Sequence, residues 1–284
     1  MSPTLRFAVN RICAARLPLP AFVAMVRRLG VDTIELRNDL DAVETRDGTL
    51  PAEIAALARA QGLTIRSINA LQRFDQFDMA RENEAAELLQ LAAACGAQAI
   101  VLCPTNSRQD RRTANHRHDD LVHALSSLLP MLHAHGIAGL IEPLGFAECA
   151  VRCKSQAVRA MQELGSPATL ALVHDTFHHH LADEVSLFPA YTGLVHVSGV
   201  DDPGVSVAAM RDTHRALVGP QDRLGNTRQL RALLDAGYDG VVSFEPFADA
   251  TITAGDIEQQ LRRSMNYLSA AVAASTGTEV NSVR

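Results

Sequence analysis

The sequence predicts an α/β protein built as a single (β/α)8 TIM barrel. Eight short apolar runs recur along the chain: LRFAVN, TIELR, TIRSINA, AIVLCP, GLIEP, LALVHD, GLVHVSG and VVSFEP. Such short, nearly continuous runs are typical of strands that are covered on both faces, as parallel strands are. Amphipathic segments with apolar residues at helical spacing separate most of the runs, and a repeated strand and helix indicates parallel pairing.

The spacing of the runs favours a closed barrel over a doubly wound sheet. The first six runs end about 30 residues apart, which is the length of one strand-helix unit. Their last residues are near Asn10, Arg37, Asn69, Cys103, Glu142 and Asp175. Eight such units in about 250 residues fit a (β/α)8 barrel. Most of the helical segments between them, such as PAEIAALARAQG and QAVRAMQELG, close on glycine, a common residue after a helix.

Two intervals depart from this rhythm. The distance from Asp175 to His196 is short, while the segment from His196 to Glu245 is long and includes VDDPGVSVAAMRDTHRALVGPQDRLGN. Because the loops after the strands build the active site of a barrel, this long segment is a candidate lid or substrate wall, with a tolerated insertion as the alternative. We expect the barrel domain to occupy residues 1–274, and the small polar residues of 275–284 to form a flexible tail.

Composition narrows the class of protein. The chain has 284 residues, a net charge of -6 and no block of Lys or Arg, so we do not expect it to bind nucleic acid. It has no apolar run of the ~20 residues that a membrane span needs and no pattern of a signal peptide. Five cysteines, an odd number without a CxxC pair, indicate reduced thiols and a cytoplasmic location. Helical faces rich in Ala and Leu could pack a homodimer.

Four potential metal ligands stand at the ends of the last four predicted strands. They are Glu142, Asp175, His196 and Glu245. Each has an ordinary structural explanation when taken alone, but three carboxylates in one apolar-walled mouth would repel one another unless a cation were present. Three carboxylates and one imidazole form a hard oxygen-rich site, so we expect Mn²⁺ first, with Mg²⁺, Co²⁺ or Zn²⁺ as alternatives.

The same residues could carry chemistry. A divalent ion with two free positions could chelate a hydroxy-ketone, and carboxylates on either side could move a proton through an enediol. Glu142 and Glu245 are the candidate acid-base pair. Other chemistries have less support, because Lys154, the only lysine, does not lie on a strand as a Schiff-base aldolase would need, and no GxGxxG, P-loop or GxSxG occurs.

The stretch LALVHDTFHHHLA sets several histidines around Asp175. His178 follows three residues after Asp175, on the first turn beyond the strand, where it could reach a substrate oxygen. In any turn geometry His179 and His180 point in other directions than His178, and we expect them to face solvent or to pack against other side chains. His174 precedes Asp175 on the strand, so its side chain faces the opposite way and is expected to pack outside the barrel.

The motifs IEPLGF, VHDTFH, VHVSG and YDGVVSFEPF together resemble the xylose-isomerase-like TIM-barrel family of sugar isomerases and epimerases, over nearly the whole chain. The resemblance implies a metal held by Glu142, Asp175, His196 and Glu245. It also implies that the two glutamates are the acid-base pair and that His178 contacts substrate. The layout is most similar to the members that isomerise 2-keto-myo-inositol (inosose), which would place the protein in inositol catabolism.

One departure from the family concerns the substrate. The epimerases carry an arginine six residues after the strand-seven histidine, where this chain has Asp202. Arg211, Arg215 and Arg223 in the long loop are possible substitutes, and we name Arg215 as substrate-binding. The alternatives that stay open are a ketose 3-epimerase, a hydroxypyruvate-type isomerase, a related lyase or dehydratase, and a non-catalytic metal-binding barrel within a larger complex. A three-metal endonuclease is disfavoured because strands two and three end without histidine.

Overall fold

The structure is a computed structural model that describes residues 4–274, so the predicted tail over 275–284 lies outside the described residues. Eight parallel strands form one closed barrel in the order of the chain. They are β1 (Arg6–Asn10), β2 (Thr33–Arg37), β3 (Thr64–Gln72), β4 (Ala99–Cys103), β5 (Ala138–Ile141), β6 (Leu170–Asp175), β7 (Thr192–Val197) and β8 (Val241–Phe244). The predicted single (β/α)8 barrel is therefore confirmed.

Helices follow the strands and form the outer layer. They are α1 (Leu19–Arg28), α2 (Pro51–Ala60), α3 (Met79–Cys95), α4 (Ala114–His135), α5 (Lys154–Glu163), α6 (Thr176–Ala182), α7 (Asn226–Asp235), α8 (Asp249–Ile252) and α9 (Ile257–Ala274). Their ends follow from local chemistry. For example, the Asp78 side chain caps α3 by accepting from the backbone N–H of Arg81, and Gly96 ends it at φ 75°.

The register of the strands brings their carboxyl ends to one rim. The barrel closes where Val9 of β1 pairs with Phe244 of β8. Asp175 of β6 pairs with His196 of β7, so residues from different units become direct neighbours. Because all strands run parallel, the side chains that end them converge on the same mouth.

One strand differs from the sequence-based prediction. β3 continues to Gln72, beyond the predicted end near Asn69, because it pairs with β4 again after a register shift between Ile68 and Leu71. The long segment after β7 is irregular apart from two short 3-10 helices, Val207–Ala209 and Asp212–His214. A bridge between Gly199 and Ala216 holds this segment against the barrel rim.

The core has three parts. Large apolar side chains from the outer faces of the strands pack under the helices. Alanines, valines and two leucines fill the barrel interior, among them Ala8, Ala99, Val101, Leu140, Val173, Leu194 and Val241. A third cluster joins Phe146, Phe177 and Met210 from the segments that follow β5, β6 and β7. All five cysteines lie within the described residues as free thiols. Between residues 4 and 274, no helix is both long enough and apolar enough to cross a bilayer.

We predict that Gly193→Ala destabilises the barrel. A Cβ at Gly193 would lie 2.8 Å from Cβ of Ala171 and 3.0 Å from Cδ2 of Leu140. Overpacking of this kind costs about 1–3 kcal/mol. Urea unfolding monitored by circular dichroism measures the loss. Gly255→Ala is the control, because a Cβ there meets no atom within 4 Å, and its effect should stay within about 0.5 kcal/mol. Equal stability of the two variants would contradict the packing argument.

Candidate metal centre

The structure brings the four predicted ligands together at the carboxyl-terminal mouth of the barrel. They are Glu142, Asp175, His196 and Glu245, all four buried, and each offers one ligand atom within 4.8 Å of the others. Glu142 and Glu245 directly follow β5 and β8, Asp175 ends β6, and His196 is the next-to-last residue of β7. Four residues that span about a hundred positions of the sequence thus face one point.

Asp175 is fixed by the start of the helix that follows it. Its Oδ1 accepts hydrogen bonds from the backbone N–H groups of Phe177 at 2.7 Å and His178 at 3.0 Å. These bonds cap α6 and leave Oδ2 facing the mouth, where the guanidinium of Arg215 lies 2.6 Å away. The DTFH motif therefore both begins a helix and aims a carboxylate oxygen at the site.

His196 lies between carboxylates on both sides of its ring. Its Nδ1 is 2.9 Å from Glu142 Oε1 and 3.2 Å from Glu245 Oε2, and its Nε2 is 3.1 Å from both oxygens of Glu35. Burial alone lowers the pKa of His196, but the charges of Glu245, Glu35 and Glu142 outweigh burial and raise its pKa well above the ordinary value. The imidazole thus sits where positive charge is strongly favoured.

Glu245 is the most heavily paired carboxylate of the site. Arg37 donates to its Oε1 at 2.7 Å and Asn69 at 3.0 Å, while Arg215 donates to its Oε2 at 3.0 Å. Burial raises the pKa of Glu245, but His196, Arg215 and Arg37 together hold that pKa well below its usual range. Glu245 is therefore an ionised and well-oriented group.

Arg215 reaches the mouth from the long loop after β7, as the sequence analysis proposed for a substrate-binding residue. Its side chain is buried, donates to Ser198 Oγ at 3.0 Å, and lies 4.6 Å from the ring centroid of Phe247. Arg223 turns to the backbone oxygens of its own loop instead. Arg211 bonds to the backbone oxygens of neighbouring residues, so of the three candidates only Arg215 contacts the cluster.

Two histidines of the HDTFHHH stretch, His178 and His174, lie on opposite sides of the barrel wall. His178 lines the mouth, and its buried Nδ1 has no hydrogen-bond partner among the described atoms. His174 is fully buried on the helix side of β6, where it meets the Lys154 amine at 2.9 Å and Gln229 at 2.9 Å. Burial lowers the pKa of Lys154 to about 8. Through His174, this lysine contacts the outer side of β6.

The mouth contains a cavity of about 220 Å³. Mostly polar side chains line it, together with four apolar ones: Arg37, Asp39, Asn69, Ala70, Gln72, Cys103, Asn106, Glu142, Leu144, Phe146, His178, Asp212, Arg215, Glu245 and Phe247. A larger cavity of about 720 Å³ lies elsewhere, beside α6 and α7, and includes none of the four predicted ligands. The mouth is the one that combines the charged cluster with room for a small molecule.

Sequence reasoning missed three polar residues that hold the cluster. Glu35, Arg37 and Asn69 come from β2 and β3, whose ends were considered only for their lack of histidine. The signal was present in TIELR, because Thr33, Glu35 and Arg37 alternate with Ile34 and Leu36. Alternation places polar residues on one face of the strand, and the structure turns that face toward the barrel interior.

The geometry and chemistry of the cluster fit a divalent metal ion. Three buried carboxylates and one imidazole at mutual reach match the ligand types of Mn²⁺, Mg²⁺, Co²⁺ or Zn²⁺. His196, Arg37 and Arg215 compensate the charge of these carboxylates, and a bound divalent ion would take over part of that compensation. The described residues therefore form a buried acidic and histidine cluster that could hold a divalent metal.

Comparison with known proteins identifies the family. The family model of the xylose isomerase-like TIM barrel matches residues 23–271. The chain belongs to the xylose isomerase-like TIM barrel family, which confirms the resemblance that its motifs showed. Among proteins with curated descriptions, none matches the chain by sequence.

Solved structures share the fold along the whole chain. A xylose isomerase domain containing protein from Salmonella typhimurium LT2 is 34% identical with a TM-score of 0.87, over 94% of this chain and 99% of that protein. IolI protein with a bound zinc atom is 18% identical with a TM-score of 0.84, over 95% and 99%. An L-ribulose 3-epimerase is 16% identical with a TM-score of 0.71, over 99% of both chains.

We predict that Arg215→Met destabilises the metal-free protein by about 3–5 kcal/mol, because it leaves a buried carboxylate without its cation. Among residues 4–274, Arg215 is the only ion-pair partner of Asp175. Denaturant unfolding in the presence of a chelator measures the loss. Arg223→Met, in the same loop, removes only hydrogen bonds to the carbonyl oxygens of Asp202 and Val205, and should cost about 1 kcal/mol. Equal losses in the two variants would refute the role given to Arg215.

Proposed function

We propose that this protein is a divalent-metal-dependent isomerase that moves the carbonyl of a keto-polyol or cyclitol through an enediol, with 2-keto-myo-inositol as the first substrate to test. The observation that carries the proposal is the meeting of Glu142, Asp175, His196 and Glu245 at one point of the mouth. Family membership supports an isomerase or epimerase of small sugars. A cytoplasmic location and a homodimer remain predictions.

The metal would be held by those four side chains, with Mn²⁺ expected first and Mg²⁺, Co²⁺ or Zn²⁺ as alternatives. A bound divalent ion would stabilise the negative charge that develops on the enediolate oxygen. Zinc gains weight among the alternatives because the similar IolI structure is described with a zinc atom.

Glu142 and Glu245 would move the proton, and they are held differently. Arg37, Arg215 and Asn69 fix Glu245. Among the described residues, the Glu142 side chain has no ion pair with an arginine, and its hydrogen-bond partners are His196 and the Cys103 thiol, 3.5 Å away. Glu142 is thus the freer carboxylate, suited to take a proton from one carbon, while the fixed Glu245 faces the substrate from the side of β8. His178 and Arg215 would orient the substrate oxygens.

The charge of the mouth favours a neutral substrate. Arg37 is already paired with Asp39 and Glu245. Arg215 is likewise paired with Asp175, Glu245 and Asp212. The cavity wall contains no lysine, so an anionic substrate would find no unpaired cationic side chain there and would depend on the metal ion alone. This observation favours a keto-polyol over the hydroxypyruvate-type alternative.

A ketose 3-epimerase is the second candidate. Asp202 stands where the epimerases have an arginine, but Arg215 reaches the mouth from farther along the same loop and could take over that contact. The fold similarity to an L-ribulose 3-epimerase is in keeping with this alternative. A related lyase or dehydratase would use the same enolate and would differ only in the product.

Solvent exchange separates the two candidates. We expect the Mn²⁺-loaded protein in D₂O to place deuterium on the shifted carbon of 2-keto-myo-inositol, but not on C3 of D-fructose or D-tagatose. NMR of the recovered sugars reports the position of the label. Exchange only at C3 of a ketose would replace the isomerase with the epimerase. Absence of exchange in all three sugars would contradict both candidates.

Removal of either acid-base group tests whether the barrel is catalytic. Glu142→Gln and Glu245→Gln should each lower kcat by about 10²- to 10⁴-fold, the usual contribution of a general acid or base. Metal content is measured beside the rate, because both residues are also proposed ligands. Glu148→Gln is the control, since Glu148 lies in the same loop as Glu142 but pairs with Arg108. Unchanged turnover in variants that keep the metal and the fold would contradict the acid-base roles of Glu142 and Glu245, and would favour the alternative in which the metal of this barrel serves only structure or binding within a larger complex.

A further inference from the structure

We propose that Glu35 is a positioning residue of the metal centre, which fixes the His196 ring so that Nδ1 offers its lone pair to the ion. The inference rests on the proposed metal site but not on any particular substrate. It concerns a residue outside the four-ligand cluster, on a strand that contributes no ligand to it.

Glu35 and the cluster lie on opposite edges of the imidazole. Nε2 of His196 is 3.1 Å from both carboxylate oxygens of Glu35. Nδ1, on the other edge, is 2.9 Å from Glu142 Oε1 and 3.2 Å from Glu245 Oε2. The ring is therefore held between a carboxylate below it in the barrel and the group of carboxylates at the mouth.

Burial of the Glu35 carboxylate costs free energy, and apart from His196 few groups in the structure compensate its charge. Its side chain is 0% exposed at the centre of β2. Ser67 Oγ donates to it at 2.5 Å, and Asn10 Nδ2 lies 3.4 Å away. Among the ion pairs of residues 4–274, its partner is His196, with no arginine or lysine. A buried carboxylate needs such a donor, so the N–H of His196 is its main compensation.

The chemistry of imidazole turns this contact into control of the tautomer. A neutral ring has one N–H and one lone pair, and an ionised carboxylate can only accept. To bind a metal ion, His196 must lose one of the two protons of its charged form. If Nε2–H stays bonded to Glu35, the lone pair then lies on Nδ1, the nitrogen that faces the cluster. Carboxylate partners of metal-binding histidines fix the tautomer and raise the basicity of the ligand, and removing them typically weakens metal affinity about 10- to 100-fold.

Glu35→Gln tests the role with metal binding as the readout. Glutamine keeps the size of the side chain but removes the charge, and its amide can turn either its oxygen or its NH₂ to Nε2. We expect Mn²⁺ affinity, measured by titration calorimetry without substrate, to fall about 10- to 100-fold. Glu44→Gln is the matched control, because Glu44 is also buried and paired, but with Arg11. This control should lose stability and keep its Mn²⁺ affinity.

A spectroscopic measurement on the unchanged protein gives an independent test. Long-range ¹H–¹⁵N NMR of the Zn²⁺-loaded chain should show His196 protonated at Nε2 and metal-bound at Nδ1. Coordination through Nε2 would overturn the proposal, even if Glu35→Gln failed to fold. An affinity of Glu35→Gln within about threefold of the wild type would overturn it as well.

The role of Glu35 and the proposed function can be refuted by different results. A wild-type protein that binds neither Mn²⁺ nor Zn²⁺ would refute the metal site and, with it, the role of Glu35. A protein that binds Mn²⁺, loses affinity in Glu35→Gln and turns over none of the tested sugars would support the role of Glu35 and contradict only the proposed function.

Discussion

Mutual repulsion of buried carboxylates is the constraint on which the mouth of this barrel depends. Glu35, Glu142, Asp175 and Glu245 are all almost completely buried. Carboxylates at such short range keep their charge only where cations and hydrogen-bond donors compensate them. His196, Arg37 and Arg215 supply the positive charge, and Asn69 and Ser67 supply neutral donors.

The barrel topology makes this arrangement possible. Parallel strands bring their carboxyl ends to one rim, so a glutamate after β5 and another after β8 face each other although 103 positions, from 142 to 245, separate them in the sequence. Below the rim, small side chains such as Ala8 and Ala99 fill the interior and keep the polar layer at the mouth. The polar residues thus sit on a rigid wall, while Arg215 enters from the long loop after β7. The Gly199–Ala216 bridge, a hydrogen bond from Ser264 to the Val218 carbonyl and the buried side chain of Met210 hold this loop against the barrel.

The barrel could be predicted from the sequence because a repeated strand and helix leaves few alternative folds at this length. The four candidate ligands could be predicted as well, since each lies at the end of a predicted strand and only the strand boundary had to be correct. Sequence reasoning named Arg215 as one of three possible arginines, but neither the family resemblance nor the spacing could separate Arg215 from Arg211 or Arg223. The path of an irregular loop depends on its tertiary contacts, here on Ser198 and on the carboxylates themselves.

The sequence-based prediction missed Glu35, Arg37 and Asn69 because it did not consider which face of a strand each polar residue occupies. TIELR was treated as an apolar run, although its polar residues alternate with Ile34 and Leu36 and therefore share a face. When polar and apolar residues alternate on a strand of a parallel barrel, one face of that strand meets polar partners. Which strand supplies these partners depends on the register across the barrel. Glu35 on β2, for example, contacts His196 on β7, a strand that does not pair with β2. A buried acid within an alternating strand thus predicts a partner inside the barrel, but the three-dimensional closure decides which one.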